Sequence, residues 1–172
     1  GGPHRIGTPV ADSVSGACVD SRLAMSGCLF IALPGERTDG HRFVDDAIQR
    51  GAVAALVHAD RLASVSRGVF GSAFVFPVAD TLQALQECAR RWRELHPNIT
   101  RIGITGSNGK TTTKELIASV LSAVDSTIYS RGNYNSDIGL PLELLRVRDH
   151  HKYGVFEAGM NRPGEITELA AL

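Results

Sequence analysis

One junction constrains the fold more than any other. A short apolar run, Thr100 to Thr105, passes directly into Gly106-Ser107-Asn108-Gly109-Lys110-Thr111-Thr112, and a helical pattern follows. Glycines at 106 and 109 let backbone N–H groups converge on an anion without a Cβ in the way. The start of a helix adds partial positive charge at the same place. Lys110 contributes an ammonium that can reach β- and γ-phosphates, and Thr111 a hydroxyl suited to Mg²⁺. The standard spacing G-x-x-x-x-G-K-[ST] is incomplete, because Ile104 stands where the first glycine belongs. The physical requirements survive that departure. ATP phosphates are therefore expected at Gly106, Ser107, Asn108, Gly109, Lys110, Thr111 and Thr112.

A loop of this kind belongs between a parallel strand and a helix, and the flanking sequence agrees. Ser126 to Ser130 and Tyr153 to Glu157 read as further strands. Helices are predicted over Thr112 to Ala123, from about Ile138, and from near Pro163. In the first of these, Leu116, Ile117, Val120 and Leu121 are expected to form one buried stripe. Strand–helix alternation predicts right-handed crossovers and a parallel sheet. Glu157 closes an apolar strand on the side where open α/β sheets bind ligands, so it is a second candidate for Mg²⁺.

The earlier part of the chain reads as a separate small α/β unit. Strands are predicted at Leu29 to Leu33, Val53 to Val57 and Phe74 to Phe76, the last closed by Pro77. A short helix is predicted over Phe43 to Arg50, with Phe43, Ala47 and Ile48 on one face. Asp80 is a good N-cap for a long helix from Thr81 to His96, with Leu82, Leu85, Ala89, Trp92 and Leu95 at helical spacing and Pro97 ending it. The expected division is residues 1–80 as one domain, 81–97 as a connecting helix, and 98–172 as the first part of a larger ATP-binding domain. The opening Gly1-Gly2-Pro3, and the stop at Leu172 within a helical pattern, lead to the expectation of a piece of a longer protein.

Composition narrows the function. The chain has 172 residues, 43% hydrophobic and 21% charged, with 18 basic and 18 acidic side chains giving a formal net charge of zero. A nucleic-acid binder would carry a basic excess, so none is expected as partner. No apolar run approaches the roughly 20 residues needed to span a bilayer. A cytoplasmic, membrane-free monomer is expected. Cys18, Cys28 and Cys88 show no metal or redox spacing and are expected as reduced thiols.

Several motifs resemble the Mur ligases, the ATP-dependent amide-forming enzymes of peptidoglycan precursor synthesis. The loop from Gly106 to Thr113 looks like that family's shortened phosphate loop. Gly132-Asn133-Tyr134-Asn135-Ser136-Asp137-Ile138-Gly139-Leu140-Pro141 is similar to a second family signature. Glu157-Ala158-Gly159-Met160-Asn161-Arg162-Pro163-Gly164-Glu165 is similar to a third, departing at Arg162, where the family more often has histidine. Asp20-Ser21-Arg22, Leu29-Phe30-Ile31-Ala32-Leu33-Pro34-Gly35 and Asp39-Gly40-His41 with Phe43 look like the family's uridine-nucleotide-binding domain.

The resemblance implies an α/β fold: a UDP-binding domain followed by an incomplete P-loop ATPase domain. It implies ATP and Mg²⁺, with the metal at Thr111 and Glu157. Lys110, Asn133, Asn135 and Glu157 would be catalytic, and Ser21, Arg22, Thr38, Asp39, Gly40 and His41 would lie near the UDP moiety. The implied substrates are UDP-N-acetylmuramoyl-tripeptide and D-alanyl-D-alanine, joined through an acyl phosphate. Three alternatives stay open: the related ligase adding the third peptide residue, a folate polyglutamate ligase, and a non-catalytic nucleotide-binding P-loop module. The 172-residue chain alone is expected to lack ligase activity.

Overall fold

The computed structural model describes residues 13–35 and 38–172. Residues 1–12 of the expected first domain, and Glu36 and Arg37 of the expected polar loop, lie outside the described residues. The chain divides into two compact units, one ending at Ala84 and the other running from Leu85 to Leu172.

The first unit is built on four parallel strands in sequence order: β1 (Ala17–Cys18), β2 (Leu29–Ile31), β3 (Ala54–His58) and β4 (Phe74–Val78). Phe30 faces Cys18 on one side and Ala55 on the other. Phe30, Ile31, Ala55, Val57 and Val75 are fully buried, the continuous apolar runs that a sheet covered on both faces requires. Pro77 lies inside β4 rather than closing it. β4 is an edge strand, so one face of its backbone needs no donor.

Helix α1 (Val44–Gln49) packs Val44 and Ala47 into this core. Phe43, expected on that face, instead ends a 3₁₀ turn (Gly40–Phe43) and is 39% exposed. The cysteines are free thiols, as expected, but two of them meet. Cys18 and Cys28 are ten residues apart, yet pairing of β1 with β2 brings their buried Sγ atoms to 3.7 Å, both as free thiols. The hydrogen bond between the two sulfurs pushes the Cys18 thiol up, with burial adding to it, and brings the Cys28 thiol down to about 6 against the opposing effect of burial.

Helix α2 (Thr81–Leu95) starts where Asp80 Oδ1 accepts the Gln83 N–H at 2.9 Å, as the capping pattern predicts. Leu85 and Ala89 are buried, whereas Leu95 is 70% exposed and does not join the apolar face. The division between the units falls in the first turn of α2.

The second unit holds three parallel strands: β5 (Thr100–Ile104), β6 (Thr127–Tyr129) and β7 (Tyr153–Glu157), in the order β5-β7-β6. The last strand in the chain occupies the middle of the sheet. Its register sets Ile104 of β5 against Glu157 of β7. The phosphate loop and the motif that opens at Glu157 thereby lie side by side at the C-terminal edge of the sheet. Helices α3 (Lys110–Ser122), α4 (Gly139–Leu144) and α5 (Glu165–Ala170) complete the unit. Its core includes Ile99, Ile128, Leu140, Val147, Phe156 and Leu169. Trp92 adds to it and donates from Nε1 to the Val147 carbonyl at 3.0 Å.

The expected stripe on α3 is corrected. Leu116 and Val120 are 64% and 67% exposed, while Lys114 and Ala118 are buried at 1% and 2%. Ile117 and Leu121 are only half-buried. The helix also starts two residues earlier than expected, with Gly109 as its N-cap in the left-handed conformation at φ +75°.

Candidate active site

At the end of β5 the chain turns through Gly106 at φ +138° and Gly109 at φ +75°, conformations that favour glycine. The exposed loop between them carries Ser107 and Asn108. Lys110 opens α3, and its Nζ donates back to the Gly106 carbonyl at 2.8 Å, so the ammonium stands over the loop. The 13-residue helix behind it points its N-terminal amides at the same place.

Thr111 Oγ1 donates to Glu157 Oε2 at 2.9 Å. Asn135 Nδ2 donates to the other carboxylate oxygen, Oε1, at 2.7 Å. Glu157 is 2% exposed, not the open strand-end acid that its position alone suggests. The Glu157 backbone N–H donates to Ser130 Oγ at 3.2 Å, and the Gly159 N–H donates to the Asn135 carbonyl at 2.7 Å. Three separated motifs therefore converge on one carboxylate. A hydroxyl and a carboxylate oxygen side by side form the hard-oxygen donor pair that Mg²⁺ prefers, so the residues present fit that ion. Among the described residues no group of three or more His, Cys, Asp or Glu side chains forms a metal site of another kind.

The structure does not bring every expected residue to this point. Asn133 is exposed, and its carbonyl accepts the Asn135 N–H at 2.8 Å in a tight turn. Thr112 is exposed as well. Arg162 turns to Glu168, Nη1 to Oε1 at 2.9 Å, an exposed bidentate pair. That pairing raises the Arg162 pKa and lowers that of Glu168.

The first unit has its own concavity. Val19, Asp20, Ser21, Arg22, Leu33, Thr38, Gly40, Phe43 and Asp46 line a hollow of about 510 Å³. Of the expected uridine-nucleotide residues, Ser21, Arg22, Thr38 and Gly40 meet there. Arg22 is held by Asp20, Nη2 to Oδ2 at 2.6 Å, and its side chain is 81% exposed. That ion pair keeps the Asp20 carboxyl below the usual range. Phe43, part of the motif read as uridine-nucleotide-binding, also lines the hollow, and so does Asp46, which sequence reading did not single out. The signal of Asp46 was weak, an acid in the first turn of a short helix. Ser21 and Arg50 hold the Asp46 carboxyl below its ordinary value.

His41 has a different place. Its ring is buried, Nδ1 meets Asp39 Oδ1 at 2.6 Å, and Nε2 accepts the His58 backbone N–H at 2.8 Å. Since Nε2 accepts, the proton sits on Nδ1, which donates a hydrogen bond to Asp39 Oδ1. Both nitrogens are used inside the protein, so His41 holds the turn to the end of β3 and does not line the hollow. A second, more apolar hollow of about 360 Å³ beside β5 contains none of the expected site residues.

With this geometry in place, comparison with known proteins is decisive about family. The profile of the Mur ligase family catalytic domain matches residues 13–93, and that of the Mur ligase middle domain matches residues 104–172. The chain belongs to the Mur ligase family. Its relatives include the UDP-N-acetylmuramoyl-tripeptide–D-alanyl-D-alanine ligase of Treponema pallidum, 45% identical over 168 residues, covering 94% of this chain and 36% of that protein. The ligase of the same name from Escherichia coli is 41% identical over 153 residues, covering 89% of this chain and 32% of that one. Among solved structures, a MurF ligase from Thermotoga maritima in complex with ADP is 32% identical, with a TM-score of 0.74 over 90% of this chain and 34% of that one. MurF from Acinetobacter baumannii is 39% identical with a TM-score of 0.77, covering 91% of this chain and 33% of that one. The chain thus spans about a third of the length of the relatives it matches.

Proposed function

We propose that this chain carries the UDP-substrate and ATP-phosphate parts of a ligase that joins D-alanyl-D-alanine to UDP-N-acetylmuramoyl-tripeptide. The observation that carries the proposal is the convergence of Thr111 and Asn135 on Glu157, which unites the three ATPase motifs at the edge of one sheet. In this reading the tripeptide carboxylate attacks the γ-phosphorus of ATP, ADP leaves, and an acyl phosphate forms. The dipeptide amine then attacks the acyl carbon, phosphate departs, and the amine loses a proton. Nucleophile and target are both anionic in the first step, so alignment and charge neutralisation set the rate.

Lys110 and the loop amides from Gly106 to Thr112 hold the phosphates. Thr111 and Glu157 would hold Mg²⁺, which supplies Lewis-acid polarisation of the γ-phosphate when bound. Asn135 keeps Glu157 oriented, and Asn133, exposed on the same loop, is free to meet substrate. Ser21, Arg22, Thr38 and Gly40 line the hollow assigned to the UDP moiety, where a guanidinium and a hydroxyl suit a pyrophosphate. Asp39 and His41 hold the turn that carries Gly40. Residues 1–80 would form the substrate domain, 81–97 the connecting helix, and 98–172 the start of the ATPase domain, in a cytoplasmic monomer.

The test uses the full-length parent enzyme with ATP, D-alanyl-D-alanine and UDP-N-acetylmuramoyl-tripeptide. A product heavier by the dipeptide residue mass is expected in the mass spectrum. No such product with either of the two common tripeptides refutes the assignment. A product formed from a dipeptide precursor and a single amino acid would assign the chain to the ligase adding the third residue.

A further inference from the structure

Loop 131–138, which carries Asn133 and Asn135, leads from β6 into α4. All six residues of α4 are buried, and one of them is an acid: Glu143, at 0% exposure. A carboxylate so placed is costly unless its charge is paired and its oxygens are hydrogen-bonded. Both conditions are met. Glu143 Oε1 accepts Arg131 Nε at 2.9 Å. Oε2 accepts the Arg131 backbone N–H at 3.3 Å and the Arg146 guanidinium. The two arginine side chains reach it from the surface, 58% and 37% exposed.

Arg131 is the first residue of the loop, and its engagement spreads along it. Its guanidinium stands 5.5 Å from the Tyr134 ring centroid, and its carbonyl accepts the Tyr134 N–H at 3.1 Å. Tyr134 is pressed against the first turn of α4, where a Cβ on Gly139 would lie 2.7 Å from Tyr134 Cα. The next residue, Asn135, makes the 2.7 Å bond to Glu157. The loop is therefore pinned at two acids, Glu143 at its start and Glu157 at its middle.

We propose that Glu143 is a positioning residue: its buried carboxylate fixes the start of loop 131–138 and thereby sets where Asn135 meets Glu157. Its consequence for turnover rests on the ligase reading above. The placement of the loop does not.

Glu143→Gln in the full-length enzyme is the direct test. A glutamine offers one carbonyl and one NH₂ to three donors, so at least one donor loses its acceptor. Hydrogen exchange at the Tyr134 and Asn135 amides is expected to quicken about tenfold, with amides of α3 unchanged. The kcat for amide formation is expected to fall about tenfold, but to change less than about twofold when Glu143→Gln is added to Asn135→Ala. Unchanged exchange at Tyr134 and Asn135 would overturn the proposal. So would a full tenfold loss repeated in the Asn135→Ala background, because Glu143 would then act elsewhere. Should Glu143→Gln not fold, Arg131→Lys keeps the charge and the backbone bond while losing the Nε bond; a change of about threefold in the same direction is expected, and none would count against the clamp. If the wild-type enzyme forms no amide, the functional reading falls, while the exchange experiment still decides the clamp.

Discussion

Thr111 presents a single hydroxyl to Glu157, and that bond is the most informative contact in the second unit. Removing the hydroxyl at constant shape isolates its contribution. Thr111→Val in the full-length enzyme is expected to raise the Mg²⁺ concentration giving half-maximal rate by about tenfold or more, since one hard-oxygen ligand is lost. A magnesium titration checks it, and an unchanged midpoint would remove Thr111 from the metal site. Asp39 gives a second prediction at the same scale. The His41 backbone N–H, and then its ring, hold the Asp39 carboxyl below the usual range. A depressed folded pKa stabilises the native state fully above the unfolded value of about 3.9 and loses that contribution as pH falls through the folded one. Asp39→Asn is therefore expected to lower Tm near pH 7, with the gap to wild type closing below about pH 4. A gap that stays constant across a pH series of thermal melts would contradict this.

Helix α3 shows how an element's orientation is decided by its first turn. Thr111 must face Glu157, and residues three and seven further on then face the sheet with it. Those are Lys114 and Ala118, both buried. Leu116 and Val120 are consequently turned outward, at 64% and 67% exposure. Substitutions should follow the observed face. In the 172-residue chain, Leu116→Ala is expected to change stability by no more than about 0.5 kcal/mol. Ala118→Leu, which overfills the contact with the sheet, should cost about 1–3 kcal/mol. Chemical denaturation of the two variants tests the pair, and the reverse ranking would restore the stripe read from periodicity.

At the scale of the whole molecule, the chain divides into two compact units, each of α/β structure. No helix among the described residues is long and apolar enough to cross a membrane. The chain spans about a third of the length of the relatives it matches, so much of a complete ligase lies beyond it. The isolated 172-residue chain is therefore expected to show no ATP- and substrate-dependent phosphate release; measurable turnover would show that a third of the enzyme suffices.

What the amino-acid sequence determined by itself was local chemistry. The phosphate loop, the Asp80 cap and the strand ending at Glu157 are legible because each is set by neighbours within a few residues: glycine conformation, capping geometry and apolar runs. The parallel, alternating α/β class follows from the same local signals. Tertiary structure alone decided what meets what. Only the placing of β7 between β5 and β6 brings Glu157 beside Thr111 and Asn135. Only the pairing of β1 with β2 brings Cys18 to Cys28. His41, read as a ligand-side residue, is consumed by Asp39 and His58 because the turn folds back on the end of β3. Glu143 carried no signal at all, since an acid on a short helix reads as solvated until its paired arginines and its burial are seen. Contacts between distant segments depend on sheet order and helix rotation, and residue periodicity does not encode either.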